Sequence, residues 1–483
     1  MHLANQNQFQ DIMEREKGLQ RGLTTRQLAM IAIGGAIGTG LFLGSGMAIG
    51  FAGPSVIVSY LIGAVIALLL MGCLAEMTVA HPTTGSFGAH AERYVSPWAG
   101  FSVRYAYWFS LVCAIGTEVS AMSVYMKYWF PDVPGIIWIL IFSAVLLYVN
   151  ATSVNLFGTV EYWFSMIKVA AIILFIVFGA YVVFGGSANP EIGPQNFTNN
   201  GGFFPNGMWG MWIAIFISLF SYLSIEMIAV SAGEAKEPEK AVPMALKSAV
   251  VRLVLFYIMT LALMLMIVPW QNAGSDASPF VKVFQIINIP GAAGIMNFVV
   301  LTAALSAMNS QLYISTRMVF SLSRAGFAPA KLGELSKKGV PVKALALSTI
   351  GIAIASIINI VAPDQSFVVM ISLSSFGAMF AWFMVFVTHL FFRRKWEEMG
   401  GRKLPVRMIG FPYLTIIGAV LLACVVLSTW FQPEFKDTLT MGFPLLLLIT
   451  IAYFIWKKAN PAAYEASVNM GKQGASDKKD IPS

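Results

Sequence analysis

Long apolar stretches alternate with short polar breaks along almost the whole chain. A helix needs roughly 20 mostly apolar residues to cross about 30 Å of hydrocarbon. Twelve stretches meet that length, near residues 24–50, 54–80, 97–126, 135–152, 158–184, 209–232, 246–269, 291–324, 343–361, 368–393, 408–431 and 438–457. Lipid offers the backbone no hydrogen-bond partners, so an open-chain span must be a helix. No long run of alternating apolar and polar residues points to a β-barrel. The pattern predicts an all-α integral membrane protein with twelve transmembrane helices. Residues 1–23 are polar and lack the apolar core and cleavage site of a secretory signal. They are read as a tail, as are residues 458–483, and the first span is expected to stay in the mature protein.

Composition supports this reading. Of 483 residues, 57% are apolar and only 11% charged, against about 25% charged in a typical soluble domain. A soluble enzyme, a disordered chain and a secreted disulfide scaffold are excluded. The three cysteines (Cys73, Cys113, Cys424) all lie in apolar runs, and the four histidines (His2, His81, His90, His389) are scattered. Neither set shows a disulfide framework or metal-ligand spacing, so no metal or cofactor is expected. The net charge of +8 resolves into topology. With the N-terminus inside, the outer loops hold only Lys127, Lys282 and Lys436, and Lys168 lies within a span. Every other Lys and Arg falls in an inner loop, a tail or the inner end of a helix. This asymmetry places both termini in the cytoplasm and the protein in the cell membrane. It also accounts for the basic balance without a nucleic-acid partner.

Function is sought where the apolar pattern breaks. The first span contains Gly34-Gly35-Ala36-Ile37-Gly38-Thr39-Gly40. Each glycine weakens a helix by about 1 kcal/mol relative to Ala, so the run can unwind. The second half-helix would then offer bare N–H groups to a carboxylate. Close helix packing through small residues is the competing reading. The sixth span carries Phe220-Ser221-Tyr222-Leu223-Ser224-Ile225-Glu226. A carboxylate so deep costs about 2.5–3.5 kcal/mol or more to insert, and should face the bundle interior or a cavity; a protonated or hydrogen-bonded structural Glu is the competing reading. Glu118 lies about 15 Å from the outer end of the third span, near mid-membrane. Lys168 lies about 10 Å beyond Glu161, which marks the inner end of the fifth span, and Lys168 either snorkels or serves function. In the eighth span, Asn309-Ser310-Gln311 either glue helices or line a polar cavity.

The interrupted spans are the first of each set of five. Five is odd, so the second set runs inverted relative to the first. Paired broken segments in corresponding positions point to a transporter site.

Three motifs carry a family resemblance. Gly34-Gly35-Ala36-Ile37-Gly38-Thr39-Gly40-Leu41-Phe42-Leu43-Gly44-Ser45-Gly46 resembles the first helix of the amino acid transporter branch of the amino acid–polyamine–organocation superfamily. Ala232-Gly233-Glu234-Ala235-Lys236-Glu237-Pro238-Glu239-Lys240-Ala241-Val242-Pro243 resembles its signature after helix 6. Asn297 to Ser306, then Asn309-Ser310 and Ser315-Thr316-Arg317-Met318, resemble its helix 8. The resemblance runs in order over residues 20–460. It implies a leucine-transporter-type 5+5 inverted repeat, at 24–184 and 209–393, plus two C-terminal helices at 408–457, with helices 1 and 6 broken. It also implies proton-driven amino acid uptake by alternating access. The substrate carboxylate would bind Gly38, Thr39 and Gly40. The α-ammonium would bind the carbonyls of Phe220, Ser221 and Leu223, with Phe220 gating the site. Lys168 matches a helix 5 lysine that stands where sodium sits in sodium-coupled relatives, and Glu226 matches an acidic position just after the helix 6 break. Glu118 is expected to bind substrate or to carry a coupling proton, and Asn309 to bind substrate. One departure stands out: Ser224 fills a position that is commonly Gly.

The implied partners are an amino acid, a proton and membrane lipid. Neutral amino acids are the favoured substrates. An amino acid exchanger is the main alternative, and a basic amino acid permease using Glu118 is another. An enzyme would need a nucleophile–base set or metal cluster, and none is visible. A sensor would typically add a signalling domain.

Overall fold

The computed structural model describes residues 14–15, 18–19, 23–24, 26–27, 30–31, 34, 37–186, 189–234, 254–273, 278–287, 290–361, 366–398, 404, 406–465 and 467–468. Within them the chain is helical and shows no sheet. Helix α1 resumes after its break as Thr39–Phe42 and Gly44–Ala52. Then follow α2 (Val56–Ala80), α3 (Pro97–Lys127), α4 (Gly135–Thr152) and α5 (Val154–Tyr181). Helix α6 spans Gly207–Tyr222 and, past a second break, Met227–Ser231. Helix α7 is Val254–Ile267 and α8 is Ala292–Arg324. Helix α9 comprises Val342–Ser348 and Ile350–Val361. Last come α10 (Ser366–Glu398), α11 (Tyr413–Ser428) and α12 (Asp437–Ala459). Among the described residues nine helices are long and apolar enough to cross a membrane, one of them joining the second half of α1 to α2; α7 and α9 are shorter apolar helices. Residues 235–243 of the helix 6 signature and 246–253 of the seventh span lie outside the described residues.

Local chemistry sets the helix ends. Ser96 accepts from the Ala99 amide at 3.2 Å to cap α3, with Pro97 at the first turn. Ser153 caps α5 through the Leu156 amide at 3.2 Å, so this helix starts four residues before the predicted 158. Helix α10 runs past the predicted 393 because Arg393 and Arg394 reach Glu397 and Glu398 one turn on, at 3.8 and 3.1 Å. Helix α11 begins at Tyr413 rather than 408, directly after Pro412. Two short helices that the apolar pattern did not predict, Ser86–Tyr94 and Pro279–Ile287, occupy loops.

Burial is uneven. Helices α3 and α6 are enclosed on nearly every side, whereas α4, α5 and α12 expose most of their apolar surface. Leu174, Val177, Leu447 and Ile455 are among the exposed large side chains. A helix that is apolar all round belongs in a core or in lipid, and this bundle contains both kinds. Helix α3 packs against α8 and α10, and α6 against α2 and the second half of α1, which sets both breaks in the bundle interior.

Candidate functional site

Both predicted breaks are present. Helix α1 stops being helical at Ile37 and Gly38, where Gly38 is extended at φ −127°, ψ −156°. Helix α6 opens at Leu223, with φ −57° and ψ 155°, and Ser224 follows at φ +82°. That is left-handed backbone, which costs an L side chain about 1–2 kcal/mol. The Ser that departs from the common Gly thus still adopts the glycine conformation.

The breaks touch. The Ser221 hydroxyl donates to the Gly40 carbonyl at 2.8 Å, and Tyr60 Oη lies 2.9 Å from Ser221 Oγ. A Cβ on Gly40 would fall 2.8 Å from Ser221 Cα. Close packing and an unwound backbone, offered as alternatives for the glycine run, are both realised: Gly40 serves the first and Gly38 the second. The Tyr257 hydroxyl donates to the Ser221 carbonyl at 2.7 Å and the Leu223 amide to the Phe220 carbonyl at 3.1 Å. Each carbonyl keeps a second lone pair.

Between the breaks lies a cavity of about 30 Å³, lined by Gly38, Gly40, Phe220, Ser221, Leu223, Ser224 and Glu226 of the broken helices. Helix α3 adds Tyr107, Ser110, Leu111, Ala114 and Glu118; α8 adds Gln311, and α10 adds Ser374 and Ala378. The space holds one or two waters, so an amino acid requires the walls to part. Glu118 accepts from the Thr39 hydroxyl at 3.0 Å and the Gln311 amide at 3.4 Å. Glu226 accepts from the Tyr107 hydroxyl at 2.6 Å and the Ser224 amide at 3.2 Å. The second oxygen of Glu118 is buried without a hydrogen-bond partner, and Glu226 also interacts with the Trp382 side chain.

Lys168 lies behind the α1 break. Its ammonium donates to the Gly34 carbonyl and, at 3.0 Å, to the Ile37 carbonyl. A helix end presents bare carbonyls and a negative dipole end, which suits a cation. Lys168 is fully buried and does not snorkel.

The structure therefore gathers Gly38, Gly40, Phe220, Ser221, Leu223, Glu118 and Glu226 around one cavity, with Thr39 and Lys168 directly behind it. Asn309 stands apart from these residues. It does not line the cavity; its amide donates to Glu161 at 3.1 Å and its oxygen accepts from Asn150 at 2.8 Å. At 100° per residue, positions 309 and 311 point about 200° apart, so Gln311 takes the cavity face. Sequence reasoning also passed over Tyr107, Ser110, Leu111 and Ala114, although they recur at helical spacing from Glu118 and form one face. Glu161 was read as a marker of the inner end of its span, but it is fully buried and bonded to α8.

A cavity enclosed by two interrupted helices in mid-bundle is how a membrane transport protein houses its substrate, and the fold belongs to that class. The chain belongs to the amino acid permease family, whose profile matches residues 27–465. It is 40% identical over 447 residues to the amino-acid permease RocC of Bacillus subtilis (strain 168), covering 90% of this chain and 94% of the relative. The gamma-aminobutyric acid permease of the same organism is 38% identical over 446 residues, with 92% and 95% covered. A probable threonine/serine transporter, YbxG, is 36% identical over 442 residues, with 91% and 96% covered. The protein is a multi-pass membrane permease and not an enzyme.

Proposed function

We propose that this chain is a proton-coupled amino acid uptake transporter working by alternating access. The observation that carries the reading is the buried Lys168 ammonium on two carbonyls at the α1 break. A fixed ammonium there replaces a metal cation, and its charge can come and go with a proton. The substrate carboxylate binds the amides of Gly38, Thr39 and Gly40 at the start of the second half of α1. The α-ammonium binds the carbonyls of Phe220, Ser221 and Leu223, and the Phe220 ring closes the site.

Glu118 now holds the Thr39 hydroxyl. An arriving substrate carboxylate competes for that position, and a displaced carboxylate in a dry cavity takes a proton. Glu226, tied to Tyr107 and to the α6 break, is a second carboxylate that can carry one. The repeats at 24–184 and 209–393 move against each other around the site, with 408–457 outside them. The Lys and Arg asymmetry supports a cell-membrane protein with both termini in the cytoplasm.

Neutral amino acids are the proposed substrates, because Leu111, Ala114, Ser374 and Ala378 make the remaining walls small or apolar. The unpartnered second oxygen of Glu118 favours a second reading, a cationic side chain. Competition uptake into liposomes against all twenty amino acids tests this. Neutral competitors should block and lysine or arginine should not; the reverse result would assign Glu118 to the substrate side chain. Accumulation into liposomes that hold no internal amino acid separates symport from obligate exchange.

A further inference from the structure

Glu161 is a buried carboxylate that the proposed cycle leaves unused. It lies two turns before Lys168 on the same face of α5. Its neighbours on α8 donate, whereas the Ser165 hydroxyl donates to the Met30 carbonyl at 3.0 Å. Ser306 of α8 donates to Oε1, and the Ser165 hydroxyl lies 3.3 Å from the same oxygen. Asn309 donates to Oε2 at 3.1 Å. Asn150 of α4 donates to Asn309 Oδ1 at 2.8 Å, which turns the NH₂ of Asn309 toward Glu161. Donors on both oxygens suit an ionised, acceptor-only carboxylate.

An ionised carboxylate in a dry interior needs a cation. Among the described residues, Lys168 is the cation that acts on Glu161, and Glu118 of α3 is the other carboxylate that acts on Lys168. Helix α8 presents Ser306 and Asn309, α4 presents Asn150 through Asn309, and α1 presents its backbone. Helix α5 also grips a single residue of α1 twice. Gly34 gives its carbonyl to Lys168, and a Cβ on Gly34 would fall 1.8 Å from Ser165 Oγ and 2.9 Å from Glu161 Oε1.

We propose that Glu161 is a positioning residue of the coupling site, the fixed counter-charge that keeps Lys168 protonated on the carbonyls of α1. When Lys168 loses its proton, an uncompensated negative charge then presses on Gly34 and the grip of α5 on that residue is released. This inference rests on the proton-coupled reading above.

The test is the pH profile of uptake by purified full-length protein in liposomes. A negative charge within about 10 Å of an amine in a protein interior favours its charged form by about one pH unit or more. Glu161→Gln should therefore move the alkaline limb of the profile about one unit toward acid, while Glu161→Asp keeps the parental limb. Glu161→Gln added to Lys168→Ala should change counterflow no further than Lys168→Ala alone. An unshifted Glu161→Gln profile, or a further loss in the double variant, would overturn the inference. If Glu161→Gln also abolishes counterflow, the double variant decides. Restored counterflow supports the charge pair, and a double variant as inactive as Glu161→Gln overturns it. A parent protein that ignores a pH gradient would overturn the proton-coupled reading and this inference together. A responsive parent with an unshifted Glu161→Gln overturns this inference alone.

Discussion

Glycines in the second half of α1 show how one hydrogen in place of a methyl decides a site. A Cβ at Gly40 would meet the Ser221 backbone, whereas one at Gly50 has nothing within 4 Å. Gly40→Ala should therefore push the two broken helices apart and cut uptake at least about tenfold, since small misplacements at a site cost that much or more. Gly50→Ala should leave uptake intact and gain up to about 1 kcal/mol of stability. Equal losses in initial-rate assays would refute the contact. Ser224 invites the opposite substitution. Its positive φ predicts that Ser224→Gly raises the melting temperature in detergent, by up to about 1 kcal/mol of stability; a lower melting temperature would show that the serine relieves its own strain. The deep charges Glu118, Lys168 and Glu226 were legible in the letters because lipid makes each one conspicuous. For Asn309 and Gln311, neighbouring polar letters do not reveal which one faces the cavity. Glu161 was missed because seven residues, two full turns, hide a shared face in linear text.

Helices were legible because a bilayer dictates their length, and their ends were less so because caps and ion pairs act over single turns. The short helix Ser86–Tyr94 had no apolar run to announce it, yet it organises a buried ionic cluster. Glu92 meets Arg104 at 2.9 Å and Arg15 at 3.2 Å, and Ser467 donates to it at 3.3 Å. One carboxylate thus ties residues from both tails to α3. Burial alone would push the Glu92 carboxyl up, but Arg104 and Arg15 outweigh it and hold it below the usual carboxylate range. A depressed carboxyl stabilises the fold above its unfolded value, near pH 4.5, and that contribution is lost as pH falls through the folded value. Melting temperature should therefore drop on acidification below about pH 4.5. Glu92→Gln, which leaves Arg104 buried without its partner, should cost about 3 kcal/mol at pH 7 and flatten that acid limb. An unchanged melting curve would show that the cluster is solvated.

At the scale of the molecule, two helices break where the chain cannot stay helical, and the bundle places both breaks around one small cavity. Among the described residues, Glu118 and Glu226 hydrogen-bond to neutral side chains and backbone and Lys168 to backbone carbonyls, and in the proposed cycle a proton changes the charge balance there. The central claim is that Lys168 couples this proton to the α1 break. The most direct measurement is accumulation of a transported amino acid into liposomes under an inward pH gradient, parent against Lys168→Ala. The account predicts accumulation by the parent, none by the variant, and surviving counterflow in both. A variant that accumulates substrate as the parent does, and still follows the gradient, would contradict it.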